Sequence, residues 1–190
     1  MCPEIRIAGM PDLEAIARVH SESWRSTYRG LIADSLLDQD LLGNRRTLWS
    51  QRLADPAAGR YTWLASVDGQ PVAVSSLLLD ADPVHGSLID ALHVQDGFKG
   101  RGIGSALSLV LARKARELRA QQPLHLWVLD GNWRAARFYE GLGAIHLGMR
   151  YDDHLPGAES YDHRYGWPSP KHLIDRLSSR SPEGAGPATS

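Results

Sequence analysis

A glycine-rich turn between a predicted strand and a predicted helix constrains this chain more than any other feature. The strand ends at Val94, five residues follow, and the run Lys99-Gly100-Arg101-Gly102-Ile103-Gly104 leads into a helix whose apolar residues recur at helical spacing as far as Leu118. Glycines let an anion approach the main chain without meeting a Cβ atom, and a helix start carries about half a positive charge. The segment therefore predicts a phosphate-binding turn, to which the side chains of Lys99 and Arg101 add charge.

Three other interpretations of this turn differ in how well they fit. A dinucleotide-binding turn needs G-x-G-x-x-G directly after the strand, and here the spacing is G-x-G-x-G with the first glycine five residues late, although Asp130 does end the next predicted strand. A P-loop needs Gly-Lys-Ser or Gly-Lys-Thr, which the turn lacks. A plain glycine-rich helix entry with solvated basic side chains remains possible on the turn alone.

The remaining periodicity predicts an α/β fold with a mixed sheet. Asp68-Gly69 is typical of a tight hairpin turn, because both residues tolerate the positive φ that it requires. Pro11 and Asp12 open a first helix, Ser23 to Gly30 breaks its periodicity, and Leu31 to Leu53 is mostly helical with a break near Gly43. Predicted strands cover 4–8, 60–67, 71–79, 87–94, 124–129, 143–151 and 159–167, and further helices begin at 103 and at 132.

A second motif further along the chain favours one interpretation of the turn over the others. The run Asn132-Trp133-Arg134-Ala135-Ala136-Arg137-Phe138-Tyr139-Glu140-Gly141-Leu142-Gly143-Ala144, together with Lys99 to Gly104, resembles the two linked motifs of the GNAT superfamily of N-acetyltransferases. Lys99 stands where Gln or Arg is usual, and Ala144 where Phe is common. The resemblance implies one domain over 1–167, with a mixed, mostly antiparallel sheet of six to seven strands and helices on both faces. Residues 168–190 are predicted to form a C-terminal extension, disordered from about 178.

The same resemblance implies direct transfer of an acetyl group from acetyl-CoA to a primary amine. Tyr139 matches the family tyrosine that protonates the leaving thiolate, and it is also interpretable as a half-buried aromatic beside Phe138. Asn132 is expected to cap its helix and to contact the pantetheine arm. Direct transfer suits a chain whose one cysteine is Cys2. The predicted cofactor-binding residues are Leu92, His93, Val94, Lys99, Gly100, Arg101, Gly102, Ile103, Gly104, Ser105, Asn132 and Tyr139.

Asp90 is the candidate general base. Strand alternation places it on one face with Leu88, Leu92 and Val94, and an acid buried among apolar residues has the raised pKa that suits a base. A hydrogen-bonded structural aspartate is an equally good interpretation. His93 is expected to face the other way and to be packed.

The acceptor side is predicted from the segment His20 to Leu31. It resembles a bacterial GNAT subgroup that includes polyamine acetyltransferases, which implies that Trp24 and Tyr28 line the acceptor cleft; as helix-spaced aromatics they could equally be core. Seven acidic residues would attract a cationic acceptor if they cluster: Asp34, Asp38, Asp40, Asp152, Asp153, Glu159 and Asp162.

The composition of the chain limits the classes of partner that are expected. A net charge of -1 gives no basic field for a nucleic acid, and no apolar run reaches the roughly 18 residues of a membrane helix. No metal-ligand spacing links His85, His154 and His163. A cytoplasmic location is expected, and the family often dimerises. A non-catalytic CoA-binding module and an enzyme that acetylates protein N-termini or lysines are the alternatives.

Overall fold

One sheet of seven strands organises the part of the chain that the computed structural model describes, residues 3–54, 59–152 and 160–179. The strands are β1 (Glu4–Ile7), β2 (Arg60–Val67), β3 (Gln70–Asp82), β4 (Gly86–Val94), β5 (Leu124–Leu129), β6 (Ile145–Asp152) and β7 (Ser160–Trp167). They stand in the order β1-β2-β3-β4-β5-β7-β6, and every neighbouring pair is antiparallel except β4 and β5. This confirms the predicted mixed, mostly antiparallel sheet.

Helices cover both faces of this sheet, as predicted. They are α1 (Leu13–Thr27), α2 (Asp34–Leu37), α3 (Leu41–Ala54), α4 (Ile103–Arg119), α5 (Trp133–Gly141) and α6 (Pro170–Ser178). On one face, Ile16 and Val19 of α1 and Trp49 of α3 form a buried cluster with β2, β3 and β4. On the other face, Leu107 and Leu111 of α4 belong to the main core. Their spacing of four residues puts both on one side of the helix.

The predicted hairpin is confirmed. Asp68 and Gly69 adopt φ values of 51° and 77°, and β2 and β3 pair in antiparallel register on either side of them. The crossover through α4 joins the two parallel strands, so α4 must lie across one face of the sheet and begin beside the end of β4. The fold thereby brings the glycine-rich turn to the β4 end of the sheet.

Two helix boundaries differ from the sequence prediction. Helix α1 continues to Thr27, because Trp24 and Tyr28 extend the same helix face as His20 at intervals of four residues. The break between α2 and α3 falls at residues 38–40, and Gly43 lies within α3. The Gly43 N–H donates to Asp40 Oδ1 at 2.8 Å, and a Cβ at position 43 would lie 2.1 Å from Asp40 Oδ2. Gly43 therefore permits this start of α3.

Helix α6 lies in the segment that the sequence analysis assigned to a C-terminal extension. Its Leu173, Ile174 and Leu177 are buried in the main core. The predicted tail from about 178 has only Ser178 and Ser179 among the described residues, and 180–190 lie outside them. Cys2 and His154 also lie outside them.

Candidate active site

A cleft opens where the two parallel strands separate. Strands β4 and β5 pair only through Ser87–Leu88 and Leu124–His125, and among the described residues nothing else bridges them as they run on to Val94 and Leu129. A cavity of about 1060 Å³ lies along this opening. The main chain of β4 beyond Leu88 lines it, so unpaired backbone N–H and C=O groups face the cavity, as at the edge of a sheet.

Gly86 fixes the closed end of the cleft. It has a φ of 71°, and a Cβ there would lie 2.2 Å from the carbonyl oxygen of Pro123. The main chain before β5 therefore approaches β4 at a distance that only glycine allows. The two strands meet at this point and diverge beyond it.

The glycine-rich turn forms one wall of the cavity. Gly100 and Gly102 have φ values of 78° and 81°, which glycine adopts without strain. The first helical hydrogen bond of α4 is donated by Ala106 to the Gly102 carbonyl at 3.0 Å, which leaves the N–H groups of residues 103–105 without helical partners. A Cβ at Gly104 would lie 3.3 Å from Phe138 Cζ, so this glycine also lets α4 pack closely against α5.

The basic side chains of the turn are already engaged. Lys99 Nζ lies 2.5 Å from Asp96 Oδ1 and donates to Thr27 Oγ1 at 3.0 Å, which ties α1 to the turn. Arg101 is exposed, with its guanidinium 5.2 Å from the centre of the Phe98 ring. The main-chain N–H groups of the turn are therefore more available to an anion than the side chains of Lys99 and Arg101.

The cavity brings together most of the predicted cofactor-binding residues. Eight of the twelve line it: Leu92, His93, Val94, Lys99, Gly100, Gly104, Asn132 and Tyr139. Arg101, Gly102, Ile103 and Ser105 do not line it. Ile103 is 2% exposed and belongs to the core, so only its main chain is available to a ligand.

Helix α5 supplies the opposite wall. Asn132 Oδ1 accepts the Ala135 N–H at 3.2 Å, which confirms the predicted cap. Tyr139 is 7% exposed and packs edge-on against Phe138. Its hydroxyl has no hydrogen-bond partner among the described residues. Burial, and then the nearby Tyr28, raise the pKa of Tyr139 far above neutral, so the phenol keeps its proton at pH 7.

Asp90 lines the cavity, but the predicted strand face is wrong. In the β3–β4 register, Ser76 pairs with Ala91 and Leu77 with Ile89, so Asp90 is the extra residue of a β-bulge. The bulge turns Asp90 away from Leu92 and Val94, which pack on the α4 side, and towards α3.

The Asp90 carboxylate sits between two guanidinium groups. Its Oδ2 lies 2.9 Å from Arg52 Nη2 and also accepts a hydrogen bond from Arg60 Nη1. All three side chains are at most 20% exposed. The sequence predicted an acid buried among apolar groups, whereas the structure shows an acid paired with two arginines.

Two histidines stack beside the end of β4. The rings of His20 and His93 lie 4.0 Å apart and nearly parallel. Burial, followed by the charges of Arg52, Arg45 and Lys99, lowers the pKa of His93 to about 3, and burial lowers the pKa of His20 well below its ordinary value. Both rings are therefore neutral at pH 7.

Trp24 and Tyr28 both line the cavity and pack edge-on with ring centres 5.0 Å apart. Burial, then the Asp162 carboxylate, raise the pKa of Tyr28 to about 12. Among the described residues, the acids named above do not form a free cluster around them. Asp34 and Asp38 pair with Arg29, and Asp162 with Arg150 at 3.0 Å. Asp40 lines the cavity, and its Oδ1 accepts the Gly43 N–H. The side chains of Asp152, Asp153 and Glu159 lie outside the described residues.

Several cavity residues were not singled out from the sequence, among them His20 and Arg45. A signal for His20 exists, because His20, Trp24 and Tyr28 follow each other at intervals of four residues and so share a helix face. Arg45 carries no such signal, since its place depends on how α3 packs against α1.

Comparison with known proteins identifies the class. The sequence model of the acetyltransferase (GNAT) family matches residues 16–144, and the chain belongs to this family of acetyl-CoA-dependent N-acetyltransferases. It is 28% identical over 139 residues to the probable N-acetyltransferase Rv2775 of Mycobacterium tuberculosis, a match that covers 72% of this chain and 76% of that protein.

Solved structures share the fold. The PaiA N-acetyltransferase of Thermoplasma acidophilum in complex with coenzyme A has a TM-score of 0.66 at 19% identity, over 88% of this chain and 100% of that one. An acetyltransferase of Thermus thermophilus has a TM-score of 0.63 at 19% identity, over 88% of this chain and 97% of that one.

The described part of the chain contains neither a metal-binding group of side chains nor a membrane-spanning helix. Within 3–54, 59–152 and 160–179, no group of three or more His, Cys, Asp or Glu side chains is arranged to hold a metal ion. No helix in those ranges has both the length and the apolar character needed to cross a membrane.

Proposed function

We propose that this protein transfers an acetyl group from acetyl-CoA directly to the primary amine of a small molecule. The observation that carries the proposal is the cleft between β4 and β5, which has a phosphate-binding turn on one wall and Tyr139 on the other. A pyrophosphate fits the free N–H groups at the start of α4. The amides of a pantetheine arm match the unpaired main chain of β4, in the manner of an added strand.

The chain's residues divide the work of transfer. The thioester supplies an activated acetyl group, and a main-chain N–H near Val94 polarises its carbonyl. Tyr139 donates its proton to the departing thiolate as the new C–N bond replaces the C–S bond. The neutral amine loses one proton as the amide forms and the thiolate gains one, and at pH 7 the additional proton of the ammonium is released to solvent before the attack. Freeing an amine with a pKa near 10 costs about 4 to 5 kcal/mol at pH 7.

We assign Asp90 the role of holding Arg52 and Arg60, since its carboxylate contacts both. Asp90→Asn separates this role from that of a general base. Loss of the carboxylate from a mostly buried ion pair is expected to lower the free energy of unfolding by about 3 kcal/mol. Unchanged stability in urea denaturation, combined with a large loss of kcat, would restore Asp90 as the base.

The acceptor is proposed to be a small molecule, because the cavity is a closed-ended cleft lined by Trp24 and Tyr28. A polyamine is the alternative implied by the sequence resemblance. It is less favoured, because two of the three acids in the cavity lining, Asp90 and Asp162, pair with arginine, which leaves Asp40 alone among the described residues. A cytoplasmic location and a homodimer stay predictions.

The test is incubation with acetyl-CoA and a panel of amines, read by release of free thiol. Turnover of small amines supports the proposal. Thermal stabilisation by CoA without turnover of any amine would instead favour the non-catalytic CoA-binding module. Reaction with peptide N-termini or lysines alone would favour the protein acetyltransferase.

A further inference from the structure

Arg45 is a partly buried arginine of the cavity lining that pairs with no acid among the described residues; Arg134, which also lines the cavity and shares this lack of an ion pair, is exposed. Arg52 pairs with Asp90 and Arg150 with Asp162, whereas Arg45 has no carboxylate within 4 Å among the described residues. The Arg45 Nε is buried and has no hydrogen-bond partner in the described part of the chain.

The surroundings of Arg45 hold its guanidinium in place. It lies over the ring of Trp24, 4.2 Å from the ring centre, and its Nη2 donates to Asn44 Oδ1 at 2.5 Å. Burial, then the charge of Arg52, lower the pKa of Arg45 to about 10, so it remains a cation at pH 7. A fixed, partly desolvated cation therefore lines the cavity, and no carboxylate of the described residues pairs with it.

A second unpartnered donor lies beside the same indole. Trp49 Nε1 can only donate, and it lies 2.8 Å from His20 Nδ1, so that nitrogen must be the acceptor. The proton of neutral His20 is therefore on Nε2. Nε2 is buried and lacks a hydrogen-bond partner among the described residues, although His20 itself is 3% exposed and lines the cavity. Trp24 packs edge-on against His20, with ring centres 5.6 Å apart.

The Arg45 guanidinium and the His20 Nε2–H would bind the same kind of ligand group. A guanidinium and an imidazole N–H are both donors, so the missing partner is an acceptor, and a guanidinium fork matches the two oxygens of a carboxylate. The pair carries one formal positive charge, which a single carboxylate balances, whereas a phosphate dianion would bring an uncompensated charge. A polycation would meet repulsion at Arg45.

We propose that the amine acceptor carries a carboxylate, as an amino acid does, and that Arg45 and the Nε2–H of His20 bind this group beside Trp24. The inference rests on the proposed N-acetyl transfer and specifies its substrate class. The His20 ring stacks at 4.0 Å on the ring of His93, the residue before Val94. The carboxylate site therefore lies close to the end of β4, where the acetyl group is expected.

The first experiment uses the unaltered full-length protein and acceptors that differ only in the carboxylate. Leucine, leucinamide and isopentylamine are each given with acetyl-CoA, and thiol release is followed. Leucinamide replaces the carboxylate by a neutral amide, which makes its amine less basic than that of leucine, so kcat/KM is expressed per concentration of free amine. Leucine is expected to exceed both in kcat/KM by roughly 10- to 100-fold, the worth of a hydrogen-bonded charged pair. Methionine with methioninamide, and tryptophan with tryptophanamide, repeat the comparison.

The second experiment changes the binding group. Arg45→Gln is expected to raise KM for leucine roughly 10- to 100-fold, to leave leucinamide nearly unaffected and to keep KM for acetyl-CoA unchanged. Arg45→Lys keeps the charge without the guanidinium fork, and its KM for leucine should lie between those of the unaltered protein and Arg45→Gln. Arg46→Gln is the matched control, since Arg46 is exposed on the same helix and pairs with Glu14 at 2.6 Å. Thermal stabilisation by CoA verifies that each variant folds.

The outcomes separate the two levels of the proposal. Amine turnover with equal kcat/KM for leucine and leucinamide would overturn the carboxylate site and leave the transferase standing. A rise in KM for acetyl-CoA in Arg45→Gln would assign Arg45 to the cofactor instead. If Arg45→Gln does not fold, the unaltered protein and Arg45→Lys still decide the question. Absence of thiol release with every amine would reject the proposed function itself.

Discussion

Replacing Tyr139 by phenylalanine removes one hydroxyl group and, in this structure, little else. The hydroxyl has no hydrogen-bond partner in the described part of the chain, so its loss leaves no unsatisfied group behind. The free energy of unfolding should change by less than about 1 kcal/mol. The aromatic contacts with Phe138 and Trp167 are kept. A fall in activity would therefore report chemistry and not unfolding.

The size of that fall follows from the proton that Tyr139 is proposed to donate. A positioned general acid contributes about 100- to 10,000-fold in rate. The raised pKa of Tyr139 keeps the donor protonated throughout the neutral range. We therefore expect kcat of Tyr139→Phe to fall about 100- to 10,000-fold.

The assay is steady-state thiol release at saturating amine, with KM for acetyl-CoA measured in parallel. KM should stay within about threefold, because the hydroxyl acts on the departing thiolate and not on the bound thioester. Tyr61→Phe is the control, since Tyr61 does not line the cavity. Equal turnover in Tyr139→Phe and the unaltered protein would remove Tyr139 from the mechanism. If Tyr28→Phe showed the loss instead, Tyr28 would be the donor.

Two further predictions concern stability. Gly86→Ala is expected to lower the free energy of unfolding, measured in urea, by about 3 kcal/mol or more, because it combines a positive φ with a Cβ 2.2 Å from the Pro123 carbonyl oxygen. Gly69 has a similar φ and open space around it, so Gly69→Ala should lower the free energy of unfolding by about 1 to 2 kcal/mol. Equal losses in the two variants would mean that the close approach at Gly86 is not needed. Because the pKa of His93 is lowered to about 3 in the folded state, its contribution to stability is present above about pH 6.5 and is lost as the pH falls towards 3. Denaturation between about pH 6 and pH 4 should show a slope of up to about 1.4 kcal/mol per pH unit from this group. His93→Gln should flatten the curve relative to the exposed-site control His172→Gln, and identical curves would contradict the assignment.

Features set by a few consecutive residues were predictable from the sequence. The start of α4 at Ile103 and both ends of β5 agree with the prediction, because the apolar spacing and the turn residues that define them are local. The glycine-rich turn was predictable for the same reason, since the glycines at 100 and 102, which have positive φ, are visible in the sequence. Helix α6 had a comparable signal in Leu173, Ile174 and Leu177 after Pro170, which the sequence analysis did not use.

Features set by pairing between distant segments were not predictable. The face of Asp90 depends on a bulge, and that bulge exists only in the register between β3 and β4. Its neutralisation needs Arg52 from α3 and Arg60 from β2. A count of acidic residues around the acceptor cleft therefore overstated the negative charge available there, since each acid has to be weighed against the arginine that packing brings to it.

The same distinction separates the two halves of the cavity. The cofactor half is built from main chain, namely the free N–H groups at the start of α4 and the unpaired edge of β4, so its geometry changes little when side chains change. The acceptor half is built from side chains of α1 and α3, and its net charge depends on which of them find partners within the protein. Among the described residues Arg45 pairs with no carboxylate, so the charge of the proposed acceptor site can be altered at this position without disturbing the turn and the strands to which we assign acetyl-CoA. If that is correct, Arg45→Glu should move the preference from carboxylated amines towards cationic ones while KM for acetyl-CoA stays constant.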